Sequence, residues 1–273
     1  MRKLLLSLLV TVSCLVSAQS MRFVYEARMI PNLEKPDQVV VENVLLDVGE
    51  GRSVFQSENA VKRDSLIQRG RITRTMDASQ FRDLRSKINY VVTKNLKDQT
   101  ITFQERIGRD QYAYEEDRKM DWEIKPETMK VEEYTAQKAV VDFGGRKWTA
   151  WFTTEIPLAD GPYKFSGLPG LIVKVEDETG EFSFDLKESK SLGASAKNSE
   201  DMSGFGRGRL ITLKRSDFEK QMAKYRKDPI AFMSAASGSG RGPGRRGIDP
   251  SRQKEMQNRL LTEIKESSNR IEK

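Results

Sequence analysis

Carboxylate pairs are the commonest groups in this sequence that could carry out chemistry. They occur at Glu115-Glu116-Asp117, Glu132-Glu133 and Asp177-Glu178. Two well-placed carboxyl groups are enough for acid/base hydrolysis, for example of a glycosidic bond. Adjacent residues of a strand point to opposite faces of a sheet, however, and runs of acids are typical of solvated surfaces. The pairs therefore identify no catalytic residue by themselves.

The composition gives little basis for other catalytic chemistry. The 273 residues include no histidine and one cysteine, Cys14. A nucleophile would have to be Ser or Thr with a Lys or carboxylate base, but the sequence has neither a Gly-x-Ser-x-Gly elbow nor a supported Ser-x-x-Lys motif. It also lacks a phosphate-binding loop and the oxygen spacing of a calcium site. We therefore expect no metal and no cofactor.

A group of aromatic residues beside one arginine is the best candidate for a ligand or partner site. The group consists of Arg146, Trp148, Trp151, Phe152, Tyr163 and Phe165. On a strand, Trp148 and Phe152 share one face while Trp151 takes the other. One face then belongs to the core. The other either forms an exposed platform for a sugar, a peptide or a partner protein, or is covered by a helix.

Two bends lie within and after this aromatic group, and we interpret them as determinants of the fold. The bend residues are Gly161, Pro162, Gly167, Pro169 and Gly170. In residues 168–171, Pro is second and Gly is third, as a type II turn requires. The bends are expected to steer residues 163–165 across the end of a sheet and to start the strand that begins near Ile172.

Most of the sequence between Arg22 and Glu188 predicts antiparallel strands. Short runs of β-branched and aromatic residues alternate with polar residues and are separated by turn signals. The predicted strand pairs are 39–48 with 52–56, 90–93 with 100–103, 140–143 with 146–149, and 171–176 with 182–186. Consecutive hairpins of this kind indicate a curved antiparallel sheet of roughly eight to twelve strands.

Three helices are predicted. Asp77 with Gln80 resembles a capping box for a helix over 77–88, and Ser216 with Glu219 for a second helix that Pro229 ends. A third, amphipathic helix over 251–273 either docks weakly or stays free. The expected organisation is a signal peptide at 1–18, a β-rich domain at 19–233 that ends in a helix, a flexible Gly/Ser/Arg linker at 234–250, and the last helix.

The first eighteen residues have the pattern of a cleavable export signal. Arg2 and Lys3 precede a short apolar core, and a small-residue site ends at Ala18. Lipidation at Cys14 is the alternative to cleavage after Ala18. We expect a periplasmic, outer-membrane-associated or secreted protein with no transmembrane segment after cleavage.

The charge distribution argues against nucleic acid as a partner. The formal net charge is +7, or +5 without Arg2 and Lys3, and both signs are interspersed through most of the chain. The exception is a basic Gly/Ser-rich run with Arg241, Arg245 and Arg246. This run either contacts an anionic surface, such as lipid, lipopolysaccharide or an acidic protein, or serves only as a spacer.

The segment 137–186 resembles the signature region of the GLPGLI family of exported proteins from Bacteroidetes-type bacteria. The hexapeptide is Gly167 to Ile172. The other matching positions are Gln137-Lys138-Ala139, Arg146, Ala150-Trp151, Ile156-Pro157, Gly161-Pro162, Ser53-Val54-Phe55 and Asp64-Ser65. Many relatives have a cysteine where this chain has Ala136, so a role of that cysteine does not apply here. The resemblance implies a periplasmic or surface protein of undefined activity, often associated with outer-membrane receptor systems, and supplies no catalytic residues.

These observations together predict a mainly β, β-rich α+β fold whose sheet forms an open bowl or half-barrel with a few helices and a C-terminal helical appendage. The favoured function is that of an exported, non-catalytic binding or accessory protein that holds a ligand, or an outer-membrane receptor or other envelope partner. A carboxylate-based hydrolase and a structural envelope component are the alternatives.

Overall fold

Twelve strands form one continuous, open sheet in the part of the chain that the structure describes. The computed structural model describes residues 20–75, 77–193, 209–236 and 250–273. The strands are β1 Ser20–Met29, β2 Val40–Gly49, β3 Arg52–Ser57, β4 Tyr90–Asn95, β5 Ile101–Ile107, β6 Asp110–Glu115, β7 Glu123–Val131, β8 Tyr134–Phe143, β9 Arg146–Thr153, β10 Leu171–Asp177, β11 Phe182–Leu192 and β12 Leu210–Leu213. Their order across the sheet is β12-β6-β5-β4-β3-β2-β1-β11-β10-β9-β8-β7. The β-rich prediction is therefore confirmed.

The sheet is mixed, whereas the sequence pattern predicts a purely antiparallel one. Every neighbouring pair is antiparallel except β12 with β6, which is parallel, with Leu210 opposite Gln111 and Leu213 opposite Tyr114. The difference is confined to one edge because β12 returns from a distant part of the chain, and only hairpin partners are antiparallel by necessity. The four predicted strand pairs all form.

The sheet curves strongly around residues 161–165. Strands β5 and β8 lie eight positions apart in the sheet order, a separation of about 38 Å in a flat sheet. Yet the Lys164 ammonium lies 4.8 Å from the ring centroid of Phe103 on β5 and 5.9 Å from that of Phe143 on β8. The two strands therefore face each other across Lys164, and the face that carries these rings is the concave one.

Gly170 is required for close packing and not for a type II turn. Its φ is not positive, so the turn predicted for 168–171 is wrong, and its N–H is 2.8 Å from the carbonyl oxygen of Leu168. A Cβ atom at Gly170 would lie 2.1 Å from the carbonyl oxygen of Thr153 on β9. A glycine is needed here because the backbone entering β10 touches the backbone leaving β9.

Four α-helices accompany the sheet within the described residues, and two of the three predicted helices are among them. They are α1 Glu58–Thr73, α2 Arg215–Lys227, α3 Pro229–Ala236 and α4 Pro250–Lys265. The helix predicted for 77–88 is wrong: only a 3-10 turn, Ala78–Phe81, forms. The Asp77 side chain accepts from the N–H of Ser79, two residues on, and so closes a single tight turn. The sequence does not predict helix α1, because its few apolar residues form no clear apolar stripe.

The predicted appendage also differs from the structure. Pro229 ends α2 but starts α3, which includes residues 234–236 of the predicted linker. Residues 237–249 of that linker, with Arg241, Arg245 and Arg246, lie outside the described residues, as does the export signal, and Pro250 begins α4. Helix α4 ends at Lys265, and residues 266–273, here called the C-terminal segment, are not helical. Within the described ranges, no helix has the length and apolarity needed to span a membrane.

Candidate binding site on the concave face

Lys164 is a fully buried lysine presented by a turn at the centre of the concave face. The turn closes through a hydrogen bond of 3.1 Å from the N–H of Phe165 to the carbonyl oxygen of Pro162. Tyr163 adopts a left-handed conformation, with φ at +53°, which costs a residue with a Cβ about 1 kcal/mol. Strain of this kind persists where surrounding contacts fix the geometry, and it is common at functional sites.

The Lys164 ammonium is surrounded by oxygen atoms and aromatic rings. It donates to the hydroxyl of Tyr114 at 2.6 Å, to Glu116 Oε2 at 2.7 Å and to Glu272 Oε1 at 2.5 Å. It also lies 4.8 Å from the ring centroid of Phe103 and 4.9 Å from that of Tyr114. All three ammonium protons thus have acceptors, and cation–π attraction adds to them.

Glu272 belongs to the C-terminal segment, and its carboxylate is bound by three donors. Besides Lys164, the Tyr163 hydroxyl donates to its Oε1 at 2.5 Å, and Arg118 Nη2 donates to its Oε2 at 2.7 Å. Arg118 also makes a two-point contact with Glu116, at 2.7 and 2.8 Å. Charge-assisted hydrogen bonds of this type are stronger than neutral ones, so they define a carboxylate-binding pocket.

The pocket keeps both carboxylates ionised. Burial alone would raise the pKa of Glu116, but hydrogen bonds and positive charge from Arg118 and Lys164 outweigh it and lower that pKa to about 2. The pKa of Glu272 is likewise lowered, because Lys164, Tyr163 and Arg118 together outweigh its burial. The pKa of the Tyr163 hydroxyl is raised well above its ordinary value, chiefly by burial and then by Glu272. Tyr163 therefore remains a donor.

Arg146 provides a second cationic point on the same face. Its Nη1 donates to Asp177 and to Glu181, both at 2.6 Å. Its Nη2 donates to the side-chain oxygen of Asn269 at 2.7 Å and to the carbonyl oxygen of Arg270 at 2.8 Å. Arg146 is 5 % exposed, so these contacts are shielded from water. Nη1 of the guanidinium therefore binds the β10–β11 hairpin, and Nη2 binds the C-terminal segment.

The backbone of the C-terminal segment is also bound. The N–H of Asn269 donates to the carbonyl oxygen of Pro31 at 2.9 Å, and the N–H of Lys273 donates to that of Gly144 at 2.7 Å. A Cβ atom at Gly144 would lie 2.8 Å from Glu272 Cγ, so this glycine, at φ +61°, allows the segment to approach the β8–β9 turn. The segment thus makes backbone and side-chain contacts along its length.

A cavity of about 440 Å³ adjoins the segment. Its lining residues are Asn32, Leu33, Glu34, Arg226, Ser268, Asn269, Arg270, Glu272 and Lys273. Five of these nine residues belong to the segment itself, three to the loop after β1 and one to α2. The groove is therefore wider than the segment that occupies it.

A buried ion pair supports the Lys164 turn from behind. Lys94 on β4 pairs with Asp160 and donates to the carbonyl oxygens of Gly161, at 2.6 Å, and Phe165, at 3.2 Å. Burial lowers the pKa of Lys94, and the charge of Asp160 opposes that effect. Lys94 therefore fixes both ends of the turn that presents Lys164.

The sequence-predicted site residues divide into two groups. Arg146 lies in the site, and Tyr163 contributes its hydroxyl to it. Trp148, Phe152, Tyr163 and Phe165 are all buried, and Trp151 is half-buried against the core. Their rings therefore do not form an exposed platform, because the curved sheet closes over them; the Trp148 indole, for example, donates to the carbonyl oxygen of Phe143 at 3.0 Å.

The strongest parts of the site were not identified from the sequence. No sequence pattern singles out Lys164, Arg118 or Glu272, and Glu116 stands out only as part of the acidic run Glu115-Glu116-Asp117. No local signal marks Lys164 as buried, because lysines are mostly exposed and a residue between two aromatic residues of a strand points to the opposite face. Nothing in the sequence links Glu272 to a position more than a hundred residues earlier.

A pair of carboxyl groups with raised pKa values, the expected sign of a hydrolase, does not occur in the described part. Among the described carboxyl groups whose pKa is clearly shifted, only Glu105 has a raised pKa. Burial raises the pKa of Glu105, and the positive charges of Arg270, Arg226 and Lys164 oppose that rise. Across the same part of the chain, no group of three or more acidic, cysteine or histidine residues is arranged to hold a metal ion.

Comparisons with known proteins agree with this description at the level of fold and motif. A family model described as a protein of unknown function (Porph_ging) matches residues 144–174, which include Arg146, Lys164 and the hexapeptide Gly167 to Ile172. No curated protein matches the chain.

Two crystal structures of PNGF-II have a similar fold. The structure in space group P21 has a TM-score of 0.55, and the structure in space group C2 has a TM-score of 0.54. Each is 13% identical in sequence to this chain, and the matched region covers 77% of this chain and 34% of the PNGF-II chain. The chain thus spans about a third of the length of PNGF-II, and at this identity the likeness shows the fold alone. The sheet therefore has solved structural neighbours, and its motif region matches a Bacteroidetes-associated family of unknown function.

Proposed function

We propose that this protein is an exported, non-catalytic binding or accessory protein of the bacterial envelope, associated with outer-membrane receptor or transport systems. Its ligand site is the concave face around Lys164 and Arg146. Export is supported by the pattern of residues 1–18 and by the resemblance to exported proteins.

The observation that carries the proposal is a groove in which the sheet already holds a piece of polypeptide through specific polar contacts. Two buried cations and a half-buried one, Lys164, Arg146 and Arg118, donate to that piece, and a cavity of about 440 Å³ extends beside it. A concave site with a few convergent polar groups is the usual form of a binding site. The low pKa of Glu116 leaves it unsuited to donate a proton, which favours binding over acid catalysis.

Site-specific photo-crosslinking in growing cells tests this proposal. A photoreactive residue replaces Leu33, which lines the groove and is 52 % exposed. The matched control places the same residue at Ile72 on α1, which is 83 % exposed and does not line the groove. We expect a discrete crosslinked envelope protein from position 33 and none from position 72.

The proposal fails if position 33 gives no crosslinked species above background, or the same species as position 72. Either result would mean that the groove does not contact a partner in the envelope. Screening of glycoside and peptide substrates would then become the next step.

A further inference from the structure

We infer that residues 269–272 act as an internal ligand, and that the site they fill binds a peptide of a partner protein with the pattern Asn-x-x-Glu, whose glutamate provides the carboxylate for the pocket. The inference rests on the proposed function and adds the chemical class of the ligand. It also means that the partner peptide must displace the chain's own segment.

The contacts of the segment give the recognition pattern. Both polar atoms of the Asn269 side chain form hydrogen bonds. The oxygen accepts from Arg146 at 2.7 Å, and the nitrogen donates to the carbonyl oxygen of Ile30 at 2.7 Å. Three residues later, Glu272 receives the donors of the carboxylate pocket. Between them, Ile271 packs against the core. The site thus recognises an asparagine, an apolar residue and a glutamate at fixed positions of the segment.

Without the segment, the pocket around Lys164 has an excess of positive charge. Lys164 and Arg118 share Glu116, whereas Asp177 and Glu181 both pair with Arg146. Two cations therefore face one carboxylate at Lys164, and Glu272 is the second carboxylate of that pocket. If the segment leaves, Lys164 and Arg118 each lose a charged acceptor. A partner peptide must therefore bring a carboxylate to this position in order to replace the segment.

The attachment of the segment also suits an exchangeable ligand. It follows α4, in which none of the described side chains is fully buried. The backbone hydrogen bonds that tie residues 269–273 to the rest of the protein are few, and they involve isolated groups and not a strand ladder. A tethered segment of this kind competes with a free ligand at an effective concentration in the millimolar range.

The test uses the full chain and a fluorescent octapeptide, Glu-Ser-Ser-Asn-Arg-Ile-Glu-Lys, which has the sequence of residues 266–273. Its binding to the native chain is compared with its binding to Glu272→Gln by fluorescence anisotropy. The matched control is Glu266→Gln, which alters an acid of the same segment that pairs with exposed Lys35 outside the pocket. Chemical unfolding of each variant verifies that it is folded.

We expect Glu272→Gln to bind the octapeptide at least about tenfold more tightly than the native chain, because its internal competitor has lost a charged hydrogen-bond acceptor. Glu266→Gln should bind like the native chain. An octapeptide with Gln in place of its second Glu should lose about tenfold in affinity for Glu272→Gln.

Three results would overturn the inference. In the first, Glu272→Gln binds the peptide no more tightly than Glu266→Gln does. In the second, Glu272→Gln is unfolded while Glu266→Gln is folded, which would make the segment a structural part of the domain. In the third, the peptide does not bind but the chains form dimers by exchanging segments, which would make a second copy the ligand. A crosslinked partner at position 33 would still support the proposed function in each case.

Discussion

Lys94 and Lys164 show two ways of keeping a lysine charge inside a β-sheet protein. Both side chains are 2 % exposed or less. Lys94 meets one carboxylate and two backbone carbonyls, so its environment is fixed by the fold. Lys164 meets a tyrosine hydroxyl, two carboxylates and several rings, and one of those carboxylates comes from the C-terminal segment. Because unpaired buried charges are costly, each lysine constrains the groups around it.

Replacement of Lys94 by Met should destabilise the protein by about 3–5 kcal/mol, because it leaves Asp160 buried and without its cation. Urea unfolding measures the effect. The double variant Lys94→Met, Asp160→Asn should recover part of the loss. The matched control is Lys62→Met, whose partner Glu58 is on the surface, and it should change stability by less than about 0.5 kcal/mol. Equal effects of Lys94→Met and Lys62→Met would contradict this role for Lys94.

At the scale of elements, the strand that follows the hexapeptide depends on a backbone contact. Gly170 lies where β10 begins, against the carbonyl of Thr153 at the end of β9, and any Cβ there would overlap an atom that cannot rotate away. The contact fixes the separation of the two strands and, with it, the direction in which residues 161–165 cross the concave face.

Gly170→Ala should therefore destabilise the protein by about 3 kcal/mol, at the upper end of the usual cost of overpacking. Gly193→Ala is the matched control, since a Cβ at that position meets nothing within 4 Å. The midpoint of thermal unfolding should fall for the first variant and stay close to that of the native protein for the second. A Gly170→Ala variant with an unchanged midpoint would show that β9 and β10 can separate freely.

The sequence predicted the strands well, but it placed one helix wrongly and gave no sign of another, for physical reasons. Alternation along 182–186 and β-branched runs such as 91–93 are direct signals of strands, and the four predicted strand pairs form. Helix α1 has no such stripe, and Asp77 caps a single turn instead of a helix. The sequence singles out Arg146 because it lies beside the aromatic residues. The sequence could not identify Glu272, because the contact of Glu272 with Lys164 depends on how residues 266–273 return to the sheet.

At the scale of the whole molecule, the binding site makes the free energy of unfolding depend on pH. Glu116 and Glu272 both have pKa values below the ordinary 4.5 in the folded protein. The folded state therefore binds fewer protons than the unfolded state in acid. The stability that these groups contribute is present above about pH 4.5 and is lost as the pH falls toward about 2. The pKa of Glu105 is raised in the folded protein, so the contribution of Glu105 to stability changes with pH in the opposite direction.

We expect the urea midpoint of the native protein to fall between pH 4.5 and pH 2, and that of Glu272→Gln to fall less steeply, because one of the ionisable groups responsible is gone. Glu266→Gln should follow the native curve closely, since its partner Lys35 is exposed and such pairs contribute little. Parallel curves for all three proteins would show that the pocket does not contribute to the acid sensitivity.

The position of β1 near the middle of the sheet has a consequence for how the chain folds. One edge of β1 pairs with β2, but the other pairs with β11, with Ser20 opposite Leu192. The hydrogen bonds along that edge therefore form only after residues more than 150 positions later have been synthesised. Pairings this distant in sequence slow folding, because the long loop must close before the contacts form. The central pairing of the sheet is therefore completed only late in the synthesis of the chain, after the hairpins on one side of β1 are already available.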